Sequence, residues 1–426
     1  MCTESFSRRS AARSHSCLFL AAIVCLPLLA ACAGPTRLNA VPEARTTEAT
    51  IPGIPEARFW VDRESEPFLQ EALRSLEKER GVLAASGHEG RLPPANFLAV
   101  SGGGDNGAFG AGLLKGWSDH GDRPTFKGVT GVSTGALIAP LAFLGSEYDD
   151  VLSEAYTEIT QDDIFESRGL LAGLVSDALA DTSPMSRLIE RYVTQDLLDE
   201  IAAEYAKGRL LLVGTTNLDA RRPIIWNMTA IAASDAPNAL ALFHKILLAS
   251  AAVPGAFPPV MIDVEVDGDS YQEMHVDGGA MAQVFLYPPS LHVAEQSVVA
   301  GISRERRVFI IRNARLDPEW ADVERRTFSI AGRAISSLIH SQGIGDLYRI
   351  YLTTHRDGFD YNLAFIGADF EFEHNEEFDQ EFMRALYGHA YALGKKGYPW
   401  RKAPPGFQDV DLTPAASDDA GTAPTS

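Results

Sequence analysis

Residues 131–135 read Gly-Val-Ser-Thr-Gly and lie between an apolar run and a segment of small residues. In a G-x-S-x-G pattern of this kind, the serine sits on a tight turn from a strand to a helix and exposes its hydroxyl in a cleft. Gly131 and Gly135 suit the turn because it leaves no room for side chains on either side of Ser133. The pentapeptide therefore predicts a nucleophile elbow with Ser133 as the candidate catalytic residue.

Two further glycine-rich motifs complement the elbow. Upstream, the run Ser101-Gly102-Gly103-Gly104-Asp105-Asn106-Gly107 follows a short apolar segment and opens a predicted helix. Successive glycines can gather backbone N–H groups into one concavity, where the helix dipole favours negative charge. Downstream, Asp277-Gly278-Gly279 follows a strand-like run, so Asp277 can present its carboxylate at a strand end. Ester hydrolysis needs a nucleophile, a base and donors for an oxyanion, and these motifs can supply all three.

The regions around these motifs alternate between strand-like and helix-like patterns. Short apolar runs predict strands, and apolar residues at helical spacing predict helices. The alternation indicates an α/β fold with a central, mainly parallel sheet and helices on both faces. The predicted strands are 97–100, 126–130, 210–213, 223–226 and 307–311, with a hairpin turn at 264–269, and the predicted helices are 66–80, 107–117, 136–144, 148–160, 185–207 and 379–393.

The length and net charge of the chain exclude some classes of function. The chain has 426 residues, 46% of them hydrophobic, and can therefore bury a sizeable core. Its formal net charge is -20, and it contains no basic block of the kind that binds a phosphate backbone. Nucleic acid is therefore not expected as a partner.

The first residues resemble a bacterial lipoprotein leader. Three arginines precede a short apolar run, and Leu29-Ala30-Ala31-Cys32 resembles the lipobox at which a cysteine is lipidated before cleavage. All four cysteines lie in this segment or at its end, and the apolar run is too short to span a membrane. We expect an exported protein anchored through lipidated Cys32; because Ala33 follows the cysteine, the outer membrane of a Gram-negative bacterium is the expected location. The alternative is an ordinary signal peptide in which Cys32 is incidental.

Composition also suggests the domain boundaries. We expect a signal peptide over 1–31, lipidated Cys32 and a flexible tether over 32–56, and an N-terminal helical extension over 57–95. The catalytic domain is expected over 96–400, and a disordered Pro/Ala/Asp/Ser-rich tail over 401–426.

Taken together, these motifs resemble the patatin-like phospholipase family. The glycine loop, the elbow, the Asp-Gly-Gly block and a fourth stretch at 249–259 stand in the family's order. The resemblance implies a three-layer sandwich and a Ser133–Asp277 dyad without histidine, acting on phospholipids or other acyl lipids. It also implies that no metal or organic cofactor is needed. The implied oxyanion hole comprises Gly102, Gly103, Gly104, Asp105 and Gly107. One departure is Asn106, which stands where the family usually has Arg or Lys.

Several alternatives remain open from the sequence. A histidine triad would draw on His275, which alternates with Asp277, or on His389. The pattern Gly102-x-Gly104-x-x-Gly107 also fits a dinucleotide-binding loop, but the second strand does not end in the acidic residue that such a fold needs. A membrane-tethered, lipid-binding pseudoenzyme would share every motif. The oligomeric state and the preferred lipid are not indicated.

Three further features are less specific. The apolar run 169–175 suits either a membrane-facing lid or the core. From their position in the chain, Phe257, Phe285 and Leu286 are expected to line an acyl tunnel. The acidic residues of 267–273 lack the full ligand pattern of a calcium loop, which favours a solvated turn.

Overall fold

The computed structural model of the chain describes residues 36–60, 62, 65–167 and 177–407. The expected leader, Cys32, the apolar run 169–175 and residues 408–426 of the expected tail lie outside the described residues.

Most strands join one large sheet. Among the described residues this sheet has nine strands: β1 Arg58–Phe59, β2 Ala95–Val100, β3 Gly128–Gly131, β6 Leu210–Asn217, β7 Arg222–Asn227, β8 Val260–Val266, β9 Asp269–Asp277, β10 Arg306–Arg315 and β11 Asp360–Ile366. A separate pair consists of β4 Glu166–Ser167 and β5 Ala180–Asp181. The main sheet follows the path β1-β7-β6-β3-β2-β10-β11, and the hairpin β8–β9 joins it through β9 and β6. The run β6-β3-β2-β10-β11 is parallel, whereas β7, β1 and the hairpin pair in antiparallel fashion.

Helices cover both faces of the sheet. Successive side chains of a strand point to opposite faces, and in β10 Phe309 and Ile311 join one buried cluster while Val308 and Ile310 join another. The fold is therefore the predicted three-layer α/β arrangement. The helices are α1 Glu66–Ala85, α2 Gly107–His120, α3 Thr134–Leu144, α4 Asp149–Thr157, α5 Gln161–Ile164, α6 Ser183–Tyr192, α7 Gln195–Ala206, α8 Met228–Ala232, α9 Ala239–Ser250, α10 Val293–Val299, α11 Thr327–Arg356 and α12 Gln380–Lys395.

The helix predicted over 185–207 is two helices in the structure. The chain leaves helical geometry at Val193, and Thr194 then caps α7 by accepting a hydrogen bond from the Leu197 N–H at 3.4 Å. A threonine side chain competes with the backbone for such bonds, which is why it favours a cap over a helix interior. The sequence pattern did not predict α11 or β11.

Residues 36–56 differ from the expected flexible tether. Thr50 pairs with Glu265 of β8 through two backbone hydrogen bonds of 3.0 Å, and Ile51 and Ile54 are buried. The expected extension over 57–95 is also joined to the body, since Arg58 and Phe59 form β1 of the main sheet. A segment without helical or strand periodicity can still pack when single apolar side chains reach a neighbouring surface.

Candidate active site

The three glycine-rich motifs meet at the carboxyl end of the parallel strands. From β2 the chain proceeds to β3 on one side and later returns to β10 on the other, so the strand order reverses at β2. In open α/β sheets, ligands bind in the crevice at such a reversal. The glycine loop follows β2, the elbow follows β3, and Asp277 ends β9, where it pairs with Thr215 of β6.

Ser133 has the strained backbone of a nucleophile elbow. Its φ is 55° and its ψ is -127°, although it carries a side chain, and α3 begins at the next residue. Strain of this kind costs about 1–3 kcal/mol and persists only where the surroundings hold it. The Ser133 N–H donates to Ser250 Oγ at 3.0 Å, and that hydroxyl donates to the Gly214 carbonyl at 2.7 Å. Ser250, at the end of α9, therefore fastens the elbow to β6.

Close backbone packing explains the second glycine of the elbow. A Cβ at Gly135 would collide with the carbonyl oxygens of Val100 and Ser101 at the end of β2. A glycine there lets α3 begin directly against the neighbouring strand, so the elbow and the glycine loop lie side by side.

Asp277 is buried beside the Ser133 hydroxyl. Burial raises the pKa of its carboxyl to about 6, while hydrogen bonds from the Ser133 side chain and the Gly279 N–H act in the opposite direction. The Gly279 N–H donates to Asp277 Oδ1 at 2.6 Å, which orients the carboxylate. A carboxylate of raised basicity next to a hydroxyl is suited to accept the proton of that hydroxyl.

The glycine loop offers fewer free donors than the sequence suggested. The Gly102 N–H donates to the Gln283 carbonyl at 3.0 Å, and the Gly107 N–H bonds back to the short 3-10 turn at Gly104–Asn106. These two residues therefore do not present free N–H groups to an oxyanion. Among the described residues, no acceptor is found for the N–H groups of Gly103, Gly104 and Asp105. Those three groups are the available donors.

The side chain of Asp105 bonds to residues outside the glycine loop. Its Oδ2 accepts from the Phe378 N–H at 3.0 Å and lies 2.7 Å from His374 Nε2. The carboxylate thus ties the loop to the segment before α12. The side chain of Asp105 therefore does not face an oxyanion bound by the loop.

Asn313, which the sequence analysis missed, holds the glycine loop from β10. Its side chain donates to the Ser101 carbonyl at 2.9 Å and accepts from the Gly110 N–H at 3.0 Å, while its own N–H donates to Ser101 Oγ at 2.9 Å. A Cβ at Gly103 would collide with the Asn313 carbonyl, so only glycine allows this approach. No local motif marks Asn313, because its partners lie about two hundred residues earlier in the chain.

Gln283 connects the loop to the Asp277 turn. Its carbonyl accepts from Gly102, and its Nε2 donates to the Gly279 carbonyl at 2.9 Å. Its own N–H donates to Asp346 Oδ2 at 2.7 Å, which anchors it to α11. The sequence analysis did not identify Gln283 or Asp346.

Arg312 is a buried cation on β10, next in sequence to Asn313. Arg312 follows Ile311, which pairs with Val100, and its guanidinium lies against Gly343 of α11. Burial lowers the pKa of Arg312 to about 10, against the opposing charge of Asp346, so the group stays charged at neutral pH. Its Nε and Nη1 have no hydrogen-bond partner among the described residues.

Neither candidate histidine contacts the dyad. His275 is fully buried; its Nδ1 lies 2.9 Å from Thr215 Oγ1 and its Nε2 lies 3.0 Å from Glu273 Oε2. Burial lowers the pKa of His275, and Glu273 is also paired with Arg58. His389 lies on α12, with Asp369 3.6 Å away. Both ring nitrogens of His275 are thus engaged in a structural network.

An apolar cavity adjoins the dyad. Its volume is about 260 Å³, and its wall includes Val132 and Gly278, the sequence neighbours of Ser133 and Asp277. Phe285 and Leu286, two of the three residues placed in an acyl tunnel from the sequence, line this cavity, whereas Phe257 packs against Phe165 with 5.5 Å between ring centres. The rest of the wall is mostly apolar and includes Ile225, Met281 and Ile350.

We expect Asn313→Ala to loosen the glycine loop. The substitution leaves the buried Ser101 carbonyl and Gly110 N–H without partners, which costs about 2–5 kcal/mol of unfolding free energy. Denaturant unfolding measures this loss. Asn375→Ala, at an exposed asparagine, is the matched control and is expected to change stability by less than about 0.5 kcal/mol. Equal effects of the two substitutions would contradict the assigned role of Asn313.

Comparisons with known proteins agree with the motifs. Residues 98–288 match the model of the patatin-like phospholipase family, which implies activity on lipid acyl groups. Among solved structures, that of VipD from Legionella pneumophila aligns over 71% of this chain and 67% of its own, with 13% identity and a TM-score of 0.32. No curated protein matches the chain. The chain thus contains a patatin-like phospholipase domain over residues 98–288.

Proposed function

We propose that the chain hydrolyses acyl esters of lipids through a dyad of Ser133 and Asp277. The observation that carries the proposal is the contact between the Ser133 hydroxyl and the buried carboxylate of Asp277, whose pKa burial raises to about 6. A serine hydroxyl is a weak nucleophile until an adjacent base accepts its proton.

In the proposed reaction, Asp277 accepts the proton of Ser133 as Oγ forms a bond to the acyl carbon. The protonated Asp277 then gives this proton to the leaving alcohol oxygen as the ester bond breaks. Water next attacks the acyl-enzyme, Asp277 accepts a proton from the water, and the fatty acid leaves as Ser133 recovers its proton. Asp277 is thus the proton carrier in both halves of the proposed cycle.

The donors proposed for the oxyanion are the backbone N–H groups of Gly103, Gly104 and Asp105. They lie in the loop that opens α2, where the helix dipole favours negative charge. Asn313 and Gln283 hold the loop before substrate arrives, and preorganised donors lower the barrier because they need no rearrangement during the reaction. Arg312, the residue before Asn313, adds positive potential to this part of the molecule.

The cavity beside the dyad favours a single acyl chain as its occupant. Its volume of about 260 Å³ lies below the roughly 300–1,000 Å³ of sites that enclose a whole drug-sized ligand. A hydrocarbon chain matches its mostly apolar wall. A phospholipid would therefore place one chain in the cavity and leave its headgroup outside.

The experiment that tests this function is fatty-acid release by the purified chain. The substrates are phosphatidylglycerol/phosphatidylcholine vesicles and a soluble short-chain ester, and covalent labelling by a fluorophosphonate reports an activated serine. We expect release from both substrates and one labelled serine. A chain that releases nothing and takes up no label would overturn the proposal and favour the lipid-binding pseudoenzyme.

The rate should depend on the ionisation of Asp277. Because the base must be deprotonated, we expect kcat/KM for the soluble ester to rise about tenfold per pH unit below pH 6 and to level off above it. Initial rates between pH 4.5 and 8.5 measure this profile, with unfolding followed at each pH to separate denaturation from titration. A flat profile between pH 5 and 7 would exclude a base with this pKa.

A further inference from the structure

The first half of α11 lies outside the packed body. Residues 327–342 precede the point at which the helix becomes buried, at Gly343, Asp346 and Leu347. At 1.5 Å per residue these sixteen residues extend for about 24 Å. Among the described helices none is long and apolar enough to cross a membrane.

This half of the helix turns its apolar side outwards. Ile330, Ala334 and Leu338 follow one another at four-residue spacing, and Ala331, Ile335 and Ile339 form a parallel row beside them. Ile330 is 51% exposed, Ile335 55% and Leu338 70%. Between residues 329 and 340 the half-buried positions are polar and lie on the opposite side: Ser329, Arg333 and His340. An amphipathic helix normally buries its apolar face, so this one presents that face to a partner.

The charge of the segment differs from that of the whole chain. Residues 325–345 contain three arginines and no aspartate or glutamate, in a chain with a net charge of -20. Asp322 and Glu324 lie just before this stretch, and Glu324 pairs with Arg326 at 3.2 Å. Trp320, 88% exposed, precedes the helix. Exposed tryptophan, an apolar helix face and arginines on the other side together match a helix that lies in a membrane interface.

The same helix also reaches the candidate active site. In its second half, Asp346, Arg349 and Ile350 line the cavity beside the dyad. Asp346 also holds Gln283, which positions both the glycine loop and the Asp277 turn. One continuous helix thus connects the exposed apolar face to the wall of the cavity.

We propose that the apolar face formed by Ile330, Ala331, Ala334, Ile335, Leu338 and Ile339 binds an anionic lipid surface. The face inserts between headgroups while the arginines of 325–333 meet lipid phosphates, and α11 thereby brings the cavity to the surface that carries its substrate. The proposal rests on the proposed function only for the identity of that substrate. An anionic lipid surface fits this face better than a second copy of the chain, because it accommodates the exposed Trp320 and the arginines as well as the apolar rows.

The direct test measures the surroundings of single positions on α11. The four native cysteines are replaced by serine, and an environment-sensitive dye is attached to Leu338→Cys or, as the matched control on the polar side, to exposed Ser336→Cys. With 3:1 phosphatidylcholine/phosphatidylglycerol vesicles, we expect a blue shift and a rise in emission at position 338 and not at 336. No change at position 338 would overturn the proposal. A blue shift without vesicles that grows with protein concentration would also overturn it, in favour of a second copy.

The functional test separates lipid binding from chemistry. Leu338→Glu should lower hydrolysis of the same vesicles at least about tenfold, since one buried leucine contributes that much to lipid affinity, and should leave hydrolysis of the soluble ester unchanged. Ser336→Glu adds the same charge on the polar side and should change neither rate. Equal loss on both substrates with Leu338→Glu would contradict a docking role. If the wild type hydrolyses neither substrate, the proposed function fails, and the dye measurement still tests lipid binding.

Discussion

Ser133→Ala is expected to abolish hydrolysis of both vesicles and the soluble ester. Without the hydroxyl no acyl-enzyme can form, and kcat should fall by at least about 10³-fold, leaving only what the loop donors supply. Fluorophosphonate labelling should disappear together with turnover. Initial-rate and intact-mass measurements on the two proteins check both outcomes.

Stability provides the control for this variant. The hydrogen bond that fastens the elbow uses the backbone N–H of Ser133, which alanine keeps, so the fold should be retained. Ser133→Gly should be equally inactive and more stable than Ser133→Ala by about 1 kcal/mol, because glycine tolerates the φ of 55°. Ser270→Ala, at an exposed serine of the β8–β9 hairpin, should behave as wild type. Surviving turnover in Ser133→Ala would place the nucleophile elsewhere.

Asp277→Asn is expected to lose activity to a similar extent and, unusually, to gain stability. The amide keeps the shape of the carboxyl and can still accept the Gly279 N–H, but it cannot accept the proton of Ser133. We expect kcat to fall by at least about 10³-fold. Rates on the soluble ester are the measurement, and Asp263→Asn, at an exposed aspartate of the same hairpin, is the matched control.

The direction of the stability change follows from the raised pKa. Burial raises the pKa of Asp277 from 3.8 to about 6. Protonated Asp277 therefore contributes to the free energy of unfolding of the wild type. This contribution is fully present below pH 4 and is lost as pH rises through 6. At pH 8 the ionised carboxyl costs on the order of 3 kcal/mol, which asparagine avoids. In denaturant unfolding, Asp277→Asn should therefore have a higher free energy of unfolding than the wild type at pH 8 and nearly the same value at pH 4. Destabilisation at pH 8 would show that the carboxylate has a structural role instead.

Local patterns were sufficient to predict the elements that carry the chemistry. The apolar run before the glycines predicts β2, and the observed strand is Ala95–Val100. The G-x-S-x-G pattern predicts a turn with unusual backbone geometry, and Ser133 has a φ of 55°. These features depend on residues that are close to one another in the chain. The residue types alone indicate their steric requirements. The leader and Cys32 remain predictions.

Other elements escaped prediction because their pattern is atypical. The helix α11 faces its apolar rows outwards over the first half and packs against the sheet over the second, so no single amphipathic period covers its 30 residues. Residues 36–56 lack any period, and they are ordered by isolated contacts such as that of Thr50 with Glu265.

The residue types along the chain were enough to place a serine, an aspartate and a glycine loop in one α/β domain. They did not reveal which loop amides are free, how basic Asp277 is, or which residues brace the site. Those properties arise where distant segments meet: Asn313 reaches Ser101 across 212 positions, and Gln283 removes the Gly102 N–H from the set of available donors. Burial and hydrogen bonding depend on the surroundings of a group in space. They are therefore set only when the sheet, α11 and the loops have packed together.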